Sequence, residues 1–333
     1  MIDYLKKFRL DNKTAFVVGG LGLIGREVSS AFASVGAKTV ILDLKNKQAT
    51  EFEEDMSEKG YELLFRSFDC MEMDLLEKNF SDLLNEFICP DVFVNCSYPQ
   101  TMEWGKGSFP EVTFTSFREN VDYHMNSFAW LARLVAEKMV KDNKQGSIIQ
   151  LGSIYGMVGQ DLTVYENTKM EENMIYAPIK GGIISLTRLM ASYYGRFNIR
   201  VNTLCPGGLD GHVAGKSDTQ NPIFVKQYSN KTPLKRLAQA KEVASVALFL
   251  ASDAASYMTG AIVVVEYADQ QDFFCYHVAE HHTTPLSVAP SPGMYLSAVA
   301  QRTSRIRMGP LVYLLPLYNP LRLIQEVCML DHL

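Results

Sequence analysis

The chain has 333 residues, 47% of them hydrophobic and 21% charged, with a formal net charge of -5 at pH 7. This length and apolar content predict a protein with a large folded core, and the slightly acidic balance argues against nucleic acid as a partner. Six cysteines without a Cys-x-x-Cys pair argue against a disulfide framework and a zinc site, and they indicate a reduced, cytoplasmic protein.

The first predicted element is a short apolar strand, Thr14–Val18, and the charged amino end before it lacks the apolar run of a signal peptide. A glycine-rich turn follows the strand and leads into a helix pattern. Glycines let the backbone turn tightly and approach a pyrophosphate, whose charge then lies at the amino end of the helix. The residues predicted to bind that group are Gly19, Gly22, Leu23, Ile24 and Gly25.

A second predicted strand, residues 39–42, leads directly into Asp43. A carboxylate here can accept hydrogen bonds from both hydroxyls of an adenosine ribose, and it would repel a 2′-phosphate. We therefore predict NAD as the cofactor and NADP as the less favoured one, with Lys45 and Arg26 weakening the preference. The alternative is an α/β fold that binds no nucleotide, in which Asp43 is an ordinary surface residue.

The next two predicted strands are also followed by polar candidates. Asp69 and Cys70 come after a third strand, and an apolar run over residues 92–95 ends at Asn95, two residues before Ser97. Because parallel strands end at one edge of a sheet, these residues are predicted to lie near the same ligand crevice.

Two further polar residues stand on the following elements. Asn120 lies within a predicted helix, where the alternative is a solvated polar residue. Ser153 ends a predicted fifth strand that begins at Gly146, so its hydroxyl is expected at the carboxyl edge of the sheet. The alternative for Ser153 is an ordinary turn residue.

Tyr176 and Lys180 stand four residues apart at the start of a long apolar helix pattern, and this spacing puts both side chains on one helix face. An ammonium within about 4–6 Å of a phenol favours the phenolate and brings its pKa down towards physiological pH, as general acid–base catalysis requires. Tyr165 and Lys169 repeat the spacing without the helix that follows, so we assign them to an inserted loop.

The helix pattern after Lys180 leads into a buried strand, residues 199–204, that ends at Pro206 and Gly207. A late helix, 242–252, and a last strand, 261–265, complete the alternation of strands and helices. This order predicts an α/β fold, a doubly wound parallel sheet with helices on both faces, in one domain over residues 1–266.

The stretch from Tyr176 to Gly207, together with the glycine turn, closely resembles the short-chain dehydrogenase/reductase family. The resemblance implies a Rossmann-type fold and an oxidoreductase that acts on CH–OH groups with NAD or NADP as acceptor. It also implies a catalytic set composed of Asn120, Ser153, Tyr176 and Lys180.

The resemblance implies a role for each of these residues. Tyr176 exchanges the proton, Ser153 holds the reacting oxygen, and Lys180 binds the nicotinamide ribose and lowers the pKa of the tyrosine. Asn120 bends its helix and supports a proton relay. The cofactor contacts implied beyond the glycine turn and Asp43 are Asp69, Cys70, Asn95, Ser97, Tyr176, Lys180, Pro206, Gly207 and Leu209.

Three loops are predicted to determine the substrate: 98–110, which contains Trp104, the acidic 159–174, and 208–231, which resembles a lid over the substrate. Residues 95–98 read Asn-Cys-Ser-Tyr, where the family more often has Asn-Asn-Ala-Gly. The chain resembles a bacterial subgroup associated with flagellin modification and surface-sugar biosynthesis in three features: Tyr98-Pro99, the long insert before Tyr176, and Tyr-Ser-Asn-Lys-Thr-Pro-Leu at 228–234. The resemblance implies a small, sugar-like substrate, including a nucleotide-linked sugar.

The sequence changes character after residue 266, where the family usually continues into Asp-Gly-Gly. We interpret 267–333 as an appended, largely irregular segment, with a fused or frameshifted coding end as its origin. Its apolar run, 311–324, is shorter than the roughly 20 residues a membrane helix needs and contains Pro316 and Pro320, so no membrane span is predicted. His281 and His282 would point apart on an extended segment, so no metal site is predicted.

The resemblance implies a homodimer or homotetramer. Subunits would pair through the helices that begin near Phe114 and Tyr176, and tetramers would form through the last strand. The tail would obstruct the contact through the last strand. Two other functions stay open. A sugar epimerase or dehydratase with tightly held NAD fits the spacing of the turn glycines. A non-catalytic cofactor sensor or scaffold fits Val18, which replaces the family's usual threonine.

Overall fold

A computed structural model describes residues 3–45, 47–211, 220–265, 275–279 and 307–312. The chain divides into two compact units, one formed by residues 1–230 with 236–266 and the other by 231–235 with 267–333. The first unit ends at Glu266.

The first unit is built on seven parallel strands. They are β1 (Thr14–Val18), β2 (Lys38–Asp43), β3 (Leu63–Ser67), β4 (Val92–Asn95), β5 (Gly146–Leu151), β6 (Ile199–Pro206) and β7 (Ile262–Val265). Their order in the sheet is β3-β2-β1-β4-β5-β6-β7. All seven strands run in the same direction, but successive strands are added on one side of β1 up to β3 and on the other side from β4 onwards. Sheets of this kind bind ligands in the crevice outside the carboxyl ends of the two strands where this order reverses, here β1 and β4. The predicted doubly wound parallel sheet is confirmed.

Helices connect these strands. They are α1 (Leu23–Ser34), α2 (Lys47–Glu58), α3 (Leu76–Glu86), α4 (Phe114–Asn120), α5 (Ser127–Lys141), α6 (Tyr176–Tyr194), α7 (Pro222–Lys231) and α8 (Ala240–Ala251). Between α4 and α5 the chain forms a π-helical segment, Val121–Asn126, so residues 114–141 are helical throughout. Such wide turns are rare and are often found at functional sites.

The sheet divides the core because successive side chains of a strand point to opposite faces. In β1, Ala15 and Val17 pack into one apolar cluster together with Val243 of α8. Phe16 packs into a second cluster together with Leu131 of α5. Burial on both faces explains why the strands are continuous apolar runs.

The second unit contains two described strands, β8 (Cys275–Ala279) and β9 (Arg307–Val312), which pair in parallel. The structure describes only these two segments of the tail, so the expectation that the tail is largely irregular stays a prediction. The predictions about His281 and His282 and about the apolar run beyond residue 312 lie outside the described residues. In the described part of the chain, no helix is both long enough and apolar enough to cross a bilayer.

Candidate active site

The glycine turn after β1 is closely packed. Gly19 has a φ of 72°, and a Cβ built on it would lie 2.5 Å from the Cα of Ser97. A Cβ on Gly25 would overlap the carbonyl oxygen of Gly19, so only glycine lets α1 approach the turn this closely. The helix begins at Leu23 after Gly22 without a side-chain cap, which leaves N–H groups of its first turn available for an anion.

Asp43 lies at the carboxyl end of β2, and the backbone fixes its carboxylate. Oδ2 accepts a hydrogen bond from the N–H of Leu21 at 2.8 Å, and Oδ1 accepts one from the N–H of Leu44 at 2.8 Å. Burial raises the pKa of this carboxyl above its usual value, and the two N–H groups offset part of that effect. An oriented carboxylate with unused lone pairs is suited to accept from hydroxyl groups.

A cleft of about 900 Å³ opens at this edge of the sheet. It is lined by most of the predicted residues: Gly19, Gly22, Leu23, Ile24, Asp43, Asp69, Cys70, Ser97, Tyr176, Lys180, Pro206, Gly207 and Leu209. Lys47 and Gln48 also line it beside Asp43, whereas the guanidinium of Arg26 lies over the ring of Phe52 at 4.1 Å.

Four predicted residues do not line the cleft: Gly25, Asn95, Asn120 and Ser153. Gly25 lies under the turn, as its packing requires. Asn95 is fully buried at the end of β4, where its side-chain oxygen accepts hydrogen bonds from the backbone N–H and the hydroxyl of Ser97. Asn95 therefore shapes the cleft wall through Ser97 and does not form part of the wall itself.

Helix α6 begins at Tyr176 because the side-chain oxygen of Asn173 accepts from the N–H groups of Ile175 (2.9 Å) and Tyr176 (3.2 Å). Pro178 follows in the first turn, where its missing N–H costs nothing. The side-chain amide of Asn173 also donates to the carbonyl oxygen of Trp104 at 3.0 Å. This contact joins the start of the helix to the loop predicted to contact substrate.

Tyr176 and Lys180 both point into the cleft, and the Lys180 Nζ lies 5.7 Å from the centre of the Tyr176 ring. Burial raises the pKa of Tyr176 to about 12, although a hydrogen bond with Ser153 acts in the opposite direction. Burial also lowers the pKa of Lys180 to about 7. In the protein alone, the phenol is therefore held protonated. This is opposite to the effect predicted from the spacing of the two residues, because burial of the phenol is the largest influence on its pKa.

The second Tyr-x-x-x-Lys sequence lies in a different environment. Tyr165 ends a short 3₁₀ turn and stacks on Phe224 with ring centres 5.9 Å apart. Lys169 is exposed, whereas Lys180 is 3% exposed. Only the pair on α6 places its ammonium in the cleft, which agrees with the assignment of Tyr165 to a loop.

Ser153 and Asn120 are both buried and do not line the cleft. Ser153 lies two residues beyond the end of β5 and is 5% exposed. Asn120 is fully buried at the end of α4. Its side-chain oxygen accepts from the Thr101 N–H at 2.9 Å, and its amide donates to the Thr101 hydroxyl and the Ser116 carbonyl, each at 2.8 Å. The Asn120 side chain thus joins its helix to the loop after β4.

Sequence reasoning missed His124, which lies in the π-helical segment one turn after Asn120. Its Nε2 is 3.2 Å from the Lys180 Nζ, and the side chain is fully buried. Its Nδ1 is buried and has no hydrogen-bond partner among the residues that the structure describes. An unsatisfied buried donor costs about 1–3 kcal/mol, so the histidine is not explained by stability. The only signal in the sequence was a histidine four residues after Asn120 in a predicted helix.

Aromatic rings surround the reacting pair. The Tyr98 ring lies 6.1 Å from that of Tyr176, and Trp104 lies 6.3 Å from Tyr176. A hydrogen bond joins Tyr98 to Trp104, and burial holds the pKa of the Tyr98 phenol well above its usual value. These two residues belong to the loop predicted to contact substrate.

The residues present fit a nicotinamide dinucleotide. The glycine turn and the free helix end suit a pyrophosphate, Asp43 suits a ribose, and the acid–base pair lies at the other side of the same cleft. Among the described residues, no group of three or more histidine, cysteine, aspartate or glutamate side chains is placed to hold a metal ion.

Comparison with known proteins agrees with this geometry. A family model described as enoyl-(acyl carrier protein) reductase matches residues 22–267. Post-translational flagellin modification protein A of Campylobacter coli is 30% identical, with 77% of this chain and 98% of that protein covered. L-rhamnose-1-dehydrogenase of Scheffersomyces stipitis is 28% identical, with coverages of 77% and 95%. A crystal structure of a short-chain dehydrogenase from Leptospira borgpetersenii with bound NAD+ is 25% identical, with a TM-score of 0.66 and coverages of 80% and 95%.

The carboxyl end resembles a different family. A second model, described as luciferase-like monooxygenase, matches residues 244–333 and overlaps the first match over 244–267. It covers less than half of the chain, so it concerns the second unit and the end of the first. The matches over the first unit, the parallel sheet and the residues of its cleft lead to one conclusion: the chain belongs to the short-chain dehydrogenase/reductase family and is an NAD(P)-dependent oxidoreductase.

Proposed function

We propose that the protein transfers hydride between NAD and a hydroxyl-bearing carbon of a sugar or a sugar-linked compound. The observation that carries the cofactor part of this proposal is the Asp43 carboxylate, which two backbone N–H groups orient at the cleft wall. A phosphate placed against it would meet a like charge. Related solved structures hold NAD+ in one case and NADP in others, so the preference for NAD rests on Asp43.

A nicotinamide dinucleotide bound in the cleft would accept or supply the hydride. Tyr176 moves the accompanying proton: during reduction, its phenol donates to the carbonyl oxygen as the hydride reaches the carbon. The high pKa of Tyr176, about 12, keeps that proton in place until the reaction. In the oxidative direction Tyr176 must lose its proton first, and the nearby Lys180 ammonium favours that loss. Ser153 holds the reacting oxygen through its hydroxyl.

The substrate part of the proposal is supported by the walls beside Tyr176. Tyr98 lines the cleft, where its ring can pack on the C–H face of a sugar and its hydroxyl can bond to a sugar hydroxyl. Trp104 packs against the Tyr98 ring, with ring centres 5.7 Å apart. The flagellin-modification and L-rhamnose relatives agree with a carbohydrate substrate. The acyl carrier protein reductase description of the family model makes an acyl thioester the competing substrate.

A substrate panel with both cofactors tests this proposal. We expect reduction of NAD by at least one free or nucleotide-linked sugar or sugar alcohol, with NADP supporting at least about tenfold slower turnover because of charge repulsion at Asp43. Acetoacetyl-CoA with NADH serves as the acyl control. Faster acetoacetyl-CoA reduction than any sugar reaction, or a preference for NADP, would contradict the proposal. Tightly bound NAD with no net turnover would indicate an epimerase or dehydratase.

We also propose that residues 267–333 form a segment of separate origin, fused to a dehydrogenase domain over 1–266 in a cytoplasmic homodimer. The second family match and the end of the first unit at Glu266 support the fusion. Phe114 on α4 and Leu189 on α6 are 79% and 67% exposed, as expected for a paired surface, and the described cysteines are free thiols.

Limited proteolysis followed by light scattering tests the domain and the assembly together. We expect a resistant fragment that ends near residue 266. Both this fragment and the intact protein should have the mass of a dimer, because the pairing helices α4 and α6 lie within the first unit. A first cleavage within residues 3–211 would overturn the domain boundary. A monomeric intact protein would overturn the dimer.

A further inference from the structure

We infer that His124 is a positioning residue that holds the Lys180 ammonium beside Tyr176. The inference rests on the proposed function, since it concerns the same acid–base pair. It assigns a task to a side chain that motif-based reasoning passes over.

The first support is the geometry around the ammonium. Lys180 Nζ donates to the carbonyl oxygen of Leu151 at 2.9 Å and lies 3.2 Å from His124 Nε2. Leu151 is the last residue of β5, and His124 belongs to the π-helical segment. In its protonated form, the Lys180 amine has three N–H donors. With two of them directed to the sheet and to the helix, one remains for a ligand in the cleft that Lys180 lines.

The second support is the state of the imidazole. Burial and the charge of Lys180 keep the pKa of His124 well below its usual value, so the ring is neutral at pH 7. The ring centres of Phe128 and Tyr98 lie 5.2 Å and 5.4 Å from that of His124. These neighbours contact the imidazole through their aromatic rings. A neutral imidazole that accepts at Nε2 must carry its proton on Nδ1.

The third support is that a hydrocarbon side chain would fit the surroundings of His124 at least as well. Nδ1 is buried without a partner among the described residues, and aromatic rings surround the imidazole. Asn120 does not hold Lys180 instead of His124, because the Asn120 amide group is hydrogen-bonded to Thr101 and Ser116. The contact with Lys180 is therefore what distinguishes histidine from leucine here, and residues kept against local stability are typical of functional sites.

The wide turn also fits this assignment. Within Val121–Asn126 the helix has π geometry, and His124 lies at its centre. A π-turn changes the direction of the side chains that follow it, and such turns are over-represented at functional sites. The segment packs against α6, the helix of Tyr176 and Lys180.

A ¹⁵N spectrum of the histidine rings tests the contact without any substrate. The chain has six histidines, and the His124→Leu spectrum identifies the signal of His124. We expect His124 to be the Nδ1–H tautomer at pH 7, with an Nε2 shift that moves towards the value of a free acceptor in Lys180→Met. A protonated Nε2, or a signal that Lys180→Met leaves unchanged, would overturn the inference.

Two matched variants test the functional consequence. Leucine cannot accept a hydrogen bond, whereas glutamine can through its side-chain oxygen. We expect His124→Leu to keep or raise the melting temperature and to lower kcat about tenfold or more, the effect of losing one hydrogen bond to a charged group. His124→Gln should stay within about threefold of the wild-type kcat, and His124→Leu should weaken NADH binding more than His124→Gln does. Equal losses in the two variants, or full activity in His124→Leu, would overturn the inference.

These outcomes separate the inference from the proposed function. If the protein bound no NADH, the dehydrogenase proposal would fail, while the tautomer of His124 and the melting temperatures would still be measured. If NADH bound and sugars turned over but His124→Leu behaved as the wild type, only the positioning role would be lost.

Discussion

Replacing Tyr176 by phenylalanine is expected to lower turnover by about 10²–10⁴-fold, the usual contribution of a positioned general acid, while NADH affinity stays nearly unchanged. Phenylalanine keeps the ring that packs against Tyr98 and Trp104 and removes only the hydroxyl that exchanges the proton and bonds to Ser153. Steady-state kinetics with the best substrate of the panel, together with calorimetric titration of NADH, measure the two quantities.

Tyr165→Phe is the matched control because it removes the same hydroxyl from the other Tyr-x-x-x-Lys sequence. Tyr165 stacks on Phe224, and the Lys169 that follows it is exposed and does not line the cleft, so this variant should lower kcat far less than Tyr176→Phe does. If Tyr165→Phe loses turnover and Tyr176→Phe retains it, the acid–base assignment is wrong.

The second large effect is expected at the other end of the cleft. Asp43→Ala should weaken NADH binding about 10- to 100-fold, since a hydrogen bond to a charged group contributes about 1.5–3 kcal/mol. It should also narrow the difference between NADH and NADPH, because the charge that repels a 2′-phosphate is lost. Titration of both cofactors into the wild type and the variant measures these changes.

Asp55→Ala provides the charge-matched control for Asp43→Ala. Asp55 lies on α2, where it pairs with Lys59 at 2.7 Å, and it does not line the cleft. Replacing Asp55 should leave the affinities for NADH and NADPH unchanged. Equal weakening in the two variants would show that overall charge, and not the ribose contact, accounts for the effect of Asp43.

The same carboxyl predicts a dependence on pH. The ionised form of Asp43 accepts hydrogen bonds, so NADH affinity should decrease as pH falls through its folded-state pKa, and the gap between wild type and Asp43→Ala should close. Burial raises this pKa above the unfolded value. The contribution of Asp43 to folding stability therefore has the opposite sign: it is fully present at low pH and is lost as pH rises through the folded pKa.

Much of the fold could be predicted from local sequence. Strands β1 and β4 have the predicted limits, α6 begins at the predicted tyrosine, and the glycine turn lies between β1 and α1. These features depend on neighbouring residues: apolar runs make buried strands, glycine permits the tight turn, and a spacing of four residues puts two side chains on one helix face. The tail was harder to predict, because β8 and β9 pair across 27 intervening residues.

The sequence by itself therefore determined the class of the protein, the cofactor turn, and two candidate tyrosine–lysine pairs. The helix pattern after Lys180 already favoured that pair, and the tertiary structure added that Lys180 is buried and Lys169 exposed, a difference that depends on packing around each loop and helix. Packing also raised the pKa of Tyr176, where spacing alone predicted the reverse. It brought His124 to Lys180 across 56 residues, a contact that no local pattern records because desolvation and long-range approach are properties of the folded chain.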